Sequence, residues 1–340
     1  MKTGFPHSNR LLASLFIAMV ALNGGAALAA DHSQASAEPS EIGPPILDYP
    51  AIRITENSYV IHGPMAVPNP HNQGFMNNPG FLIGTDGVVI VDPGSSLQTG
   101  DMVLRSIRRF TNLPVVAVFN THHHGDHWLG NHAIRNAYPS VAIYGHPRMI
   151  ERIEQGAGDA WVASMKAMTD NATRGTQVFG PNTVMNDGDV IQVAGLTFRV
   201  HHPKVTAQRS HTDNDVMLEI PERSVVFLGD NVMNQRIARM EDGNIRGNID
   251  AIDAALKIDA EHWVPGHGAS GGREVPELFR EYLSNVYARV KKAYAEDADM
   301  LELKDMAMEV TEKFAGWAGY DNEVGRHAQQ AWMEVEAEAF

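Results

Sequence analysis

The sequence predicts an α/β fold built on mixed sheets, followed by a helical C-terminal part. Three observations carry this. Short apolar, β-branched runs pair across turn residues twice, around Thr85-Asp86-Gly87 and around Ala194-Gly195. Strands then alternate with helical patterns, which makes some neighbouring strands parallel. From Glu274 onward the period becomes helical: Leu278, Tyr282, Val286, Val290 and Tyr294 recur every four residues, with Phe279, Leu283 and Tyr287 beside them.

Taken in order, residues 1–30 read as a secretory signal peptide. Lys2 and Arg10 supply the positive end, residues 11–22 the apolar segment, and Ala27-Leu28-Ala29 the small-x-small pattern that places cleavage after Ala29 or Ala30. The apolar run is short for a bilayer span, so the alternative of an uncleaved anchor is the weaker one. Residues 31–50, rich in Ser, Ala, Glu and Pro, read as a flexible leader. Residues 52–54 and 58–62 read as opening strands. Residues 63–80 carry four prolines and several asparagines around Met65 and Phe75, and read as a long loop, either a binding loop or a surface excursion. Strands follow at 81–84 and 88–91, a helix over 102–110, strands at 115–119 and 141–144, and a helix from Pro147. In the less regular stretch 156–181, Trp161, Met165 and Met168 sit at helical spacing and face either core or substrate. The second half repeats the strand-rich opening, with strands at 190–193, 196–200, 215–220 and 224–228, a helix over 248–258 and a last strand at 261–264. Further helices are expected over 303–314 and 323–336. The domain reading is therefore 51–272 as the catalytic domain and 273–340 as a C-terminal helical extension.

Composition bounds the function. The 340 residues suffice for a large core, and the formal net charge of −14 argues against nucleic acid or an anionic membrane surface as partner. Removing Lys2 and Arg10 makes the mature chain more acidic still. With no cysteine, disulfides, iron–sulfur clusters, thiolate zinc sites, cysteine nucleophiles and a lipoprotein anchor are all excluded.

The chemistry centres on Thr121-His122-His123-His124-Gly125-Asp126-His127, an H-x-H-x-D-H pattern between the strand 115–119 and a helical segment. A strand-to-helix loop can aim several donors inward while the strand end holds them still. Neutral imidazole and carboxylate are donors that zinc and its first-row neighbours favour. Three further motifs follow at strand or hairpin ends: His211 before Thr212-Asp213-Asn214-Asp215, Gly229-Asp230, and Pro265-Gly266-His267-Gly268. Each is weak alone, and in this order after H-x-H-x-D-H they are strong.

With these motifs the sequence resembles the metallo-β-lactamase-fold hydrolase superfamily over residues 50–272. The resemblance implies a four-layer αββα sandwich with the site at one edge, between two mixed sheets. It implies two zinc ions, with iron or manganese as alternatives. His122, His124 and His211 would hold the first, Asp126, His127 and His267 the second, and Asp230 would bridge both. Asp92 matches an acidic residue that supports the ligand loop from behind. Two such ions would activate a water to hydroxide near neutral pH and polarise the oxygen under attack. Asp126 is then the catalytic acceptor for the water proton. Within the superfamily, the Asp126-His127 pair and His267 resemble the all-histidine lactamases. Asp230 departs from them, since they carry cysteine or serine near there. It resembles the aspartate of thioesterases, lactonases, alkyl sulfatases and phosphodiesterases of this fold.

The expectation is thus an exported, periplasmic or secreted zinc hydrolase of a small ester, thioester, lactone, lactam or sulfate ester, with weak lactamase activity as a possible side reaction. No membrane insertion is expected after cleavage of the leader. Trp317-Ala318-Gly319-Tyr320-Asp321 and Gly325-Arg326-His327, with the export signal, resemble periplasmic members associated with quinoprotein dehydrogenase or sulfur-oxidation systems. The tail itself reads as a packing or homodimerisation extension. Competing readings are a mononuclear iron, persulfide-dioxygenase-like oxidoreductase of the same fold, and a noncatalytic periplasmic accessory protein. His123 is expected to point away from the ligands. His132, His146, His201, His202 and His262 read as surface or supporting residues. His71, with Phe75, could face substrate, though no substrate contact is assigned. Lys204, Arg209 and Arg236 read as exposed cations or as binders of an anionic group.

Overall fold

The structure, a computed structural model, describes residues 41–205 and 207–339. The expected signal peptide and residues 31–40 of the expected leader lie outside the described residues. Residues 41–50 pack against the fold: Ile46 is buried, Arg105 donates to its carbonyl, and Gly43 N–H donates to Arg174 O. The flexible reading of the leader therefore does not hold for this part. Polar composition hid the anchors Ile46 and Tyr49 and the backbone bonds beside them.

Seven strands form the first sheet in chain order: β1 (Ala51–Thr55), β2 (Ser58–Ile61), β3 (Gly80–Ile83), β4 (Val88–Val91), β5 (Val115–Phe119), β6 (Ala142–Gly145) and β7 (Thr183–Val184). The β1–β4 neighbours are antiparallel, and those from β4 to β7 are parallel. The parallel connections run through α1 (Leu97–Ile107), α2 (Gly125–Trp128), α3 (Asn131–Ala137), α4 (Pro147–Arg152) and α5 (Gly158–Met168). The second sheet holds β8 (Val190–Val193), β9 (Leu196–His201), β10 (Met217–Ile220), β11 (Val225–Phe227) and β12 (His262–Val264), in the order β12-β11-β10-β9-β8. Only β11 and β12 run parallel there. The remaining helices are α6 (Ile245–Ala255), α7 (Glu274–Ala295), α8 (Leu303–Thr311) and α9 (Tyr320–Glu338).

Strand alternation sorts these into four layers, αββα. Val89 and Val91 of β4 pack between the sheets, against Phe198, Leu218 and Phe227. Val88 and Ile90 face the other way, onto Met102, Val103 and Ile107 of α1 and Ile134 of α3. Beyond the second sheet, Val226 and Trp263 meet Ile249 and Ile252 of α6, and that cluster continues through Phe279 and Tyr282 of α7 to Val324 and Ala328 of α9. The C-terminal helices thus share one buried cluster with α6 and the second sheet. Helices α1, α6 and α9 begin earlier than the apolar pattern predicts, the first two because polar residues start them. Ser96 caps α1 by accepting from Thr99 N–H, and Asn244 caps α6 by accepting from Gly247 N–H.

Candidate metal centre

Two parallel strand pairs, β4/β5 in one sheet and β11/β12 in the other, end at the same edge of the sandwich. Parallel neighbours deliver their C-terminal loops side by side, so four chain segments converge there. Asp92 follows β4, the His122–His127 loop follows β5, Asp230 follows β11 and His267 follows β12. His211 arrives from the segment before β10. Gly266 lets the last two meet, since a Cβ there would lie 1.9 Å from Asp230 Oδ1.

All seven expected donors come together, in two adjoining groups. His122, His124, His211 and Asp230 form one; Asp126, His127 and His267 form the other. In each, the donor atoms lie within 4.8 Å of one another. Asp230 reaches into both: Oδ2 is 3.4 Å from His211 Nε2 and 3.2 Å from His267 Nε2, and Oδ1 is 3.1 Å from His127 Nε2. Asp126 Oδ2 is 3.3 Å from His267 Nε2.

The outer partners fix which ring nitrogen carries a proton in four of the five donor histidines, His211 Nδ1 having no partner. His127 Nδ1 donates to Asp92 Oδ2 at 2.8 Å, leaving a lone pair on Nε2. His267 Nδ1 donates to Met76 O at 2.8 Å, again leaving Nε2 bare. Those two bare nitrogens face each other at 3.4 Å. His124 Nε2 donates to Asp242 Oδ2 at 2.9 Å, so its Nδ1, 3.0 Å from His211 Nε2, carries a lone pair. Thr121 Oγ1 gives its proton to Asp92 Oδ2 and so accepts from His122 Nδ1, which leaves His122 Nε2 bare. His122 Nε2, Asp126 Oδ2 and Asp230 Oδ1 are buried without an aligned hydrogen bond. Converging lone pairs repel one another unless a cation lies between them, so the donor set fits metal ions.

The electrostatics show the same demand for positive charge, met by a metal ion or, without one, by a proton on His127. Burial disfavours charge on His127, yet Asp230, Asp126 and Asp92 together hold its pKa well above the ordinary value. Burial works against ionised Asp126 and Asp230 as well, but the surrounding histidines keep both carboxyls low. Burial dominates at His211, which is pulled down to about 3. Asp92, expected as the supporting acid, accepts from Thr121 N–H, Thr121 Oγ1 and His127 Nδ1.

Other expectations resolve here. His123 belongs to neither of these two groups, but it is buried, receives the Asn214 amide at Nδ1 and lies 3.8 Å from Asp242. Asp242 carries no motif signal in the sequence, because its loop has no strand or repeat pattern. Of the open stripe in α5, Met165 is core, Met168 is exposed, and Trp161 stands beside His124 with ring centroids 5.4 Å apart. Phe75 is fully buried and edge-on to Tyr49, so it faces core and not substrate, while His71 is exposed. Lys204 and Arg209 are exposed, but Arg236 is buried. The loop before β3 is a packed wall of the site: Asn77 donates to Asp92 O, and Asn78 to Pro265 O and Gly268 O.

The family model of the metallo-beta-lactamase superfamily matches residues 73–267, which include every donor. Among proteins of known name, a hydroxyacylglutathione hydrolase of Gloeobacter violaceus is 25% identical over 157 residues, 46% of this chain and 48% of the relative. A linear primary-alkylsulfatase of a Pseudomonas species is 24% identical over 230 residues, 57% of this chain and 42% of the relative. The chain thus spans about half the length, or less, of these relatives. Two solved structures share the fold. The sec-alkylsulfatase Pisa1 from Pseudomonas sp. has a TM-score of 0.66 at 15% identity, covering 84% of this chain and 50% of that one. A metallo-beta-lactamase from Pontibacter korlensis has a TM-score of 0.56 at 16% identity, covering 69% and 99%. Fold, donor set and family match coincide on the same residues, and the chain belongs to the metallo-beta-lactamase superfamily.

Proposed function

We propose that this chain is an exported dinuclear zinc hydrolase of a small ester, thioester, lactone, lactam or sulfate ester. The observation that carries it is the pair of donor groups whose bare imidazole nitrogens converge around the shared carboxylate of Asp230. His122, His124 and His211 would hold one ion, Asp126, His127 and His267 the other, with Asp230 between them. Two dications there would acidify a water and polarise the oxygen under attack. The chain's own residues do the rest. Asp126, kept ionised by His127 and His267, is the proton acceptor at its Oδ2. Asp92, Met76 O and Asp242 hold the imidazoles in one tautomer. Trp161 stands beside His124 and walls one side.

The aspartate in the bridging place and the two named groups of relatives, hydroxyacylglutathione hydrolases and an alkylsulfatase, favour esters, thioesters and sulfate esters over lactams. The deciding experiment is metal content by mass spectrometry on the purified mature protein, then a panel of such substrates. Two zinc per chain and turnover lost in Asp126→Ala are expected. One iron per chain with oxygen consumption would overturn the reading in favour of a dioxygenase. Full metal content with no activity on the panel would favour an accessory protein. Export rests on the N-terminal 30 residues and is checked by N-terminal sequencing of the protein from a periplasmic fraction. A small-molecule substrate and a homodimer through residues 273–340 complete the proposal; sedimentation tests the dimer.

A further inference from the structure

Arg236 is a buried cation without a counterion. It is 5% exposed, and no carboxylate among the described residues comes within ion-pairing distance of it. Its nearest polar neighbours are poor partners: Met65 O at 3.5 Å from Nη1 and Met76 Sδ at 3.9 Å from Nη2. A guanidinium has five N–H donors and stays protonated, so leaving it buried and under-bonded is costly unless something else completes it.

Its place is next to the metal centre. Met76, whose sulfur approaches Arg236, is the residue whose carbonyl orients His267. Three residues before Arg236, Met233 forms a bridge with His267, and Asn234 N–H donates to His267 O at 3.0 Å. Burial weakens the charged form of Arg236, while Asp126, Asp230 and Glu323 support it from a distance. Two of those three acids are metal donors, so once cations occupy the donor groups their support is cancelled.

The C-terminal part holds Arg236 there. Arg236 bridges with Ala318; Ile237 N–H donates to Ala318 O at 2.8 Å, and Ala318 N–H donates to Gln235 O at 2.9 Å. Gly319 must be glycine for this approach. Its φ is +85°, and a Cβ would lie 2.3 Å from Ile237 O. About two helix turns on, His327 Nε2 donates to Ala238 O at 2.8 Å. The Ala318-Gly319 stretch, unexplained by the metal chemistry, is thus the clamp on the irregular segment that carries the cation.

We propose that Arg236 is a specificity-determining residue that binds an oxyanion of the substrate, a carboxylate, sulfate or phosphate, beside the metal centre. The planar fork of a guanidinium matches such a group with two parallel hydrogen bonds, and low exposure strengthens them. The proposal rests on the hydrolase reading for its substrate, but its binding test does not.

Calorimetric titration of inorganic sulfate into the metal-loaded protein is the first test. Arg236→Gln is expected to weaken binding roughly ten-fold or more, the loss of a charge-assisted bidentate pair, with metal content unchanged. Arg236→Lys, which keeps the charge but loses the planar fork, should recover only part of the affinity. Gly319→Ala should weaken binding in the same direction with Arg236 still present. Equal sulfate affinity in wild type and Arg236→Gln would mean that the anion sits on the metals alone and would overturn the proposal. A fall in metal content in Arg236→Gln would also overturn it, by showing that the cation balances the donor carboxylates. For turnover, a carboxylate-bearing ester and its neutral amide analogue are compared. The kcat/KM preference for the anionic member should vanish in Arg236→Gln. A chain that binds sulfate through Arg236 but hydrolyses nothing would sink the hydrolase reading and leave the anion site standing.

Discussion

Two regions of this molecule bury histidine completely, and only at the metal centre do carboxylates outweigh burial, at His127 and His267 though not at His122 or His211. At the metal centre, His127 and His267 sit among Asp92, Asp126 and Asp230, and those acids outweigh burial and hold both pKa values high. In the C-terminal layer, His327 lies between Tyr282 OH and Ala238 O with no acid beside it, and burial pulls it down to about 4. The first region gathers lone pairs and negative charge and is satisfied by a cation. The second is neutral, self-satisfied and structural. Changes in the first should therefore move metal content, and changes in the second should move stability and leave metal content as it is.

The largest effect is expected at Asp230, which touches both donor groups. Asp230→Ala should lower activity by well over about a hundred-fold, the scale of losing an outer partner of a ligand. It should also reduce metal content toward less than one ion per chain, read by mass spectrometry. Retention of two tightly held ions would refute its bridging place. Asp92→Ala comes next. It leaves the Thr121 hydroxyl and amide and His127 Nδ1–H without their buried acceptor, which costs about 3–5 kcal/mol of stability and roughly ten- to a hundred-fold in metal affinity. Because Thr121 in turn orients His122, both donor groups should weaken together, which competition with a chelator will show. Asp242→Asn should have a smaller effect. Asp242 is half exposed, so solvent screens its bond to His124 and can replace it in part. A loss of about ten-fold or less in metal affinity is expected, confined to the first donor group. A loss as large as that of Asp92→Ala would show that exposure does not set the ranking.

How much of this was legible in the sequence follows the same division. The donor set reads from the chain because short parallel strands bring motif-bearing loops to one edge, and each motif sits at a strand end. Asp92 reads for the same reason. Asp242 does not, and Arg236 reads only as one of three cations that are either exposed or bind an anionic group. Asp242 and Arg236 lie in the irregular stretch between β11 and α6, where no period marks which side chain points inward, and their roles depend on α9 and the 318–319 clamp far along the chain. The helix starts at Ser96 and Asn244 were signalled by their capping residues, but an apolar pattern alone begins a helix later. The unbroken apolar run of β4 fits a strand buried on both faces. The share of α7–α9 in the α6 cluster could not be read, since periodicity shows that a face is apolar and not what covers it.

The smallest effect, and the sharpest test of the contrast, belongs to His327. Its folded pKa is about 4 against an ordinary value of 6.5. Above pH 6.5 the imidazole is neutral in both folded and unfolded chains and costs nothing. Between 6.5 and 4 the unfolded chain takes up the proton and the folded chain does not, so stability falls as pH falls. Below 4 both are protonated and the change stops. The full loss is about 3 kcal/mol. His327→Phe removes this dependence and leaves the Tyr282 hydroxyl and Ala238 carbonyl without their partner, costing roughly 1–3 kcal/mol near neutral pH. Denaturant unfolding at pH 7 and pH 5 should then show a smaller gap in the variant than in wild type. Metal content at pH 7 should be the same in both, because no metal donor touches His327. An unchanged gap would show that His327 is not held neutral, and lost metal would show that the two regions are not independent.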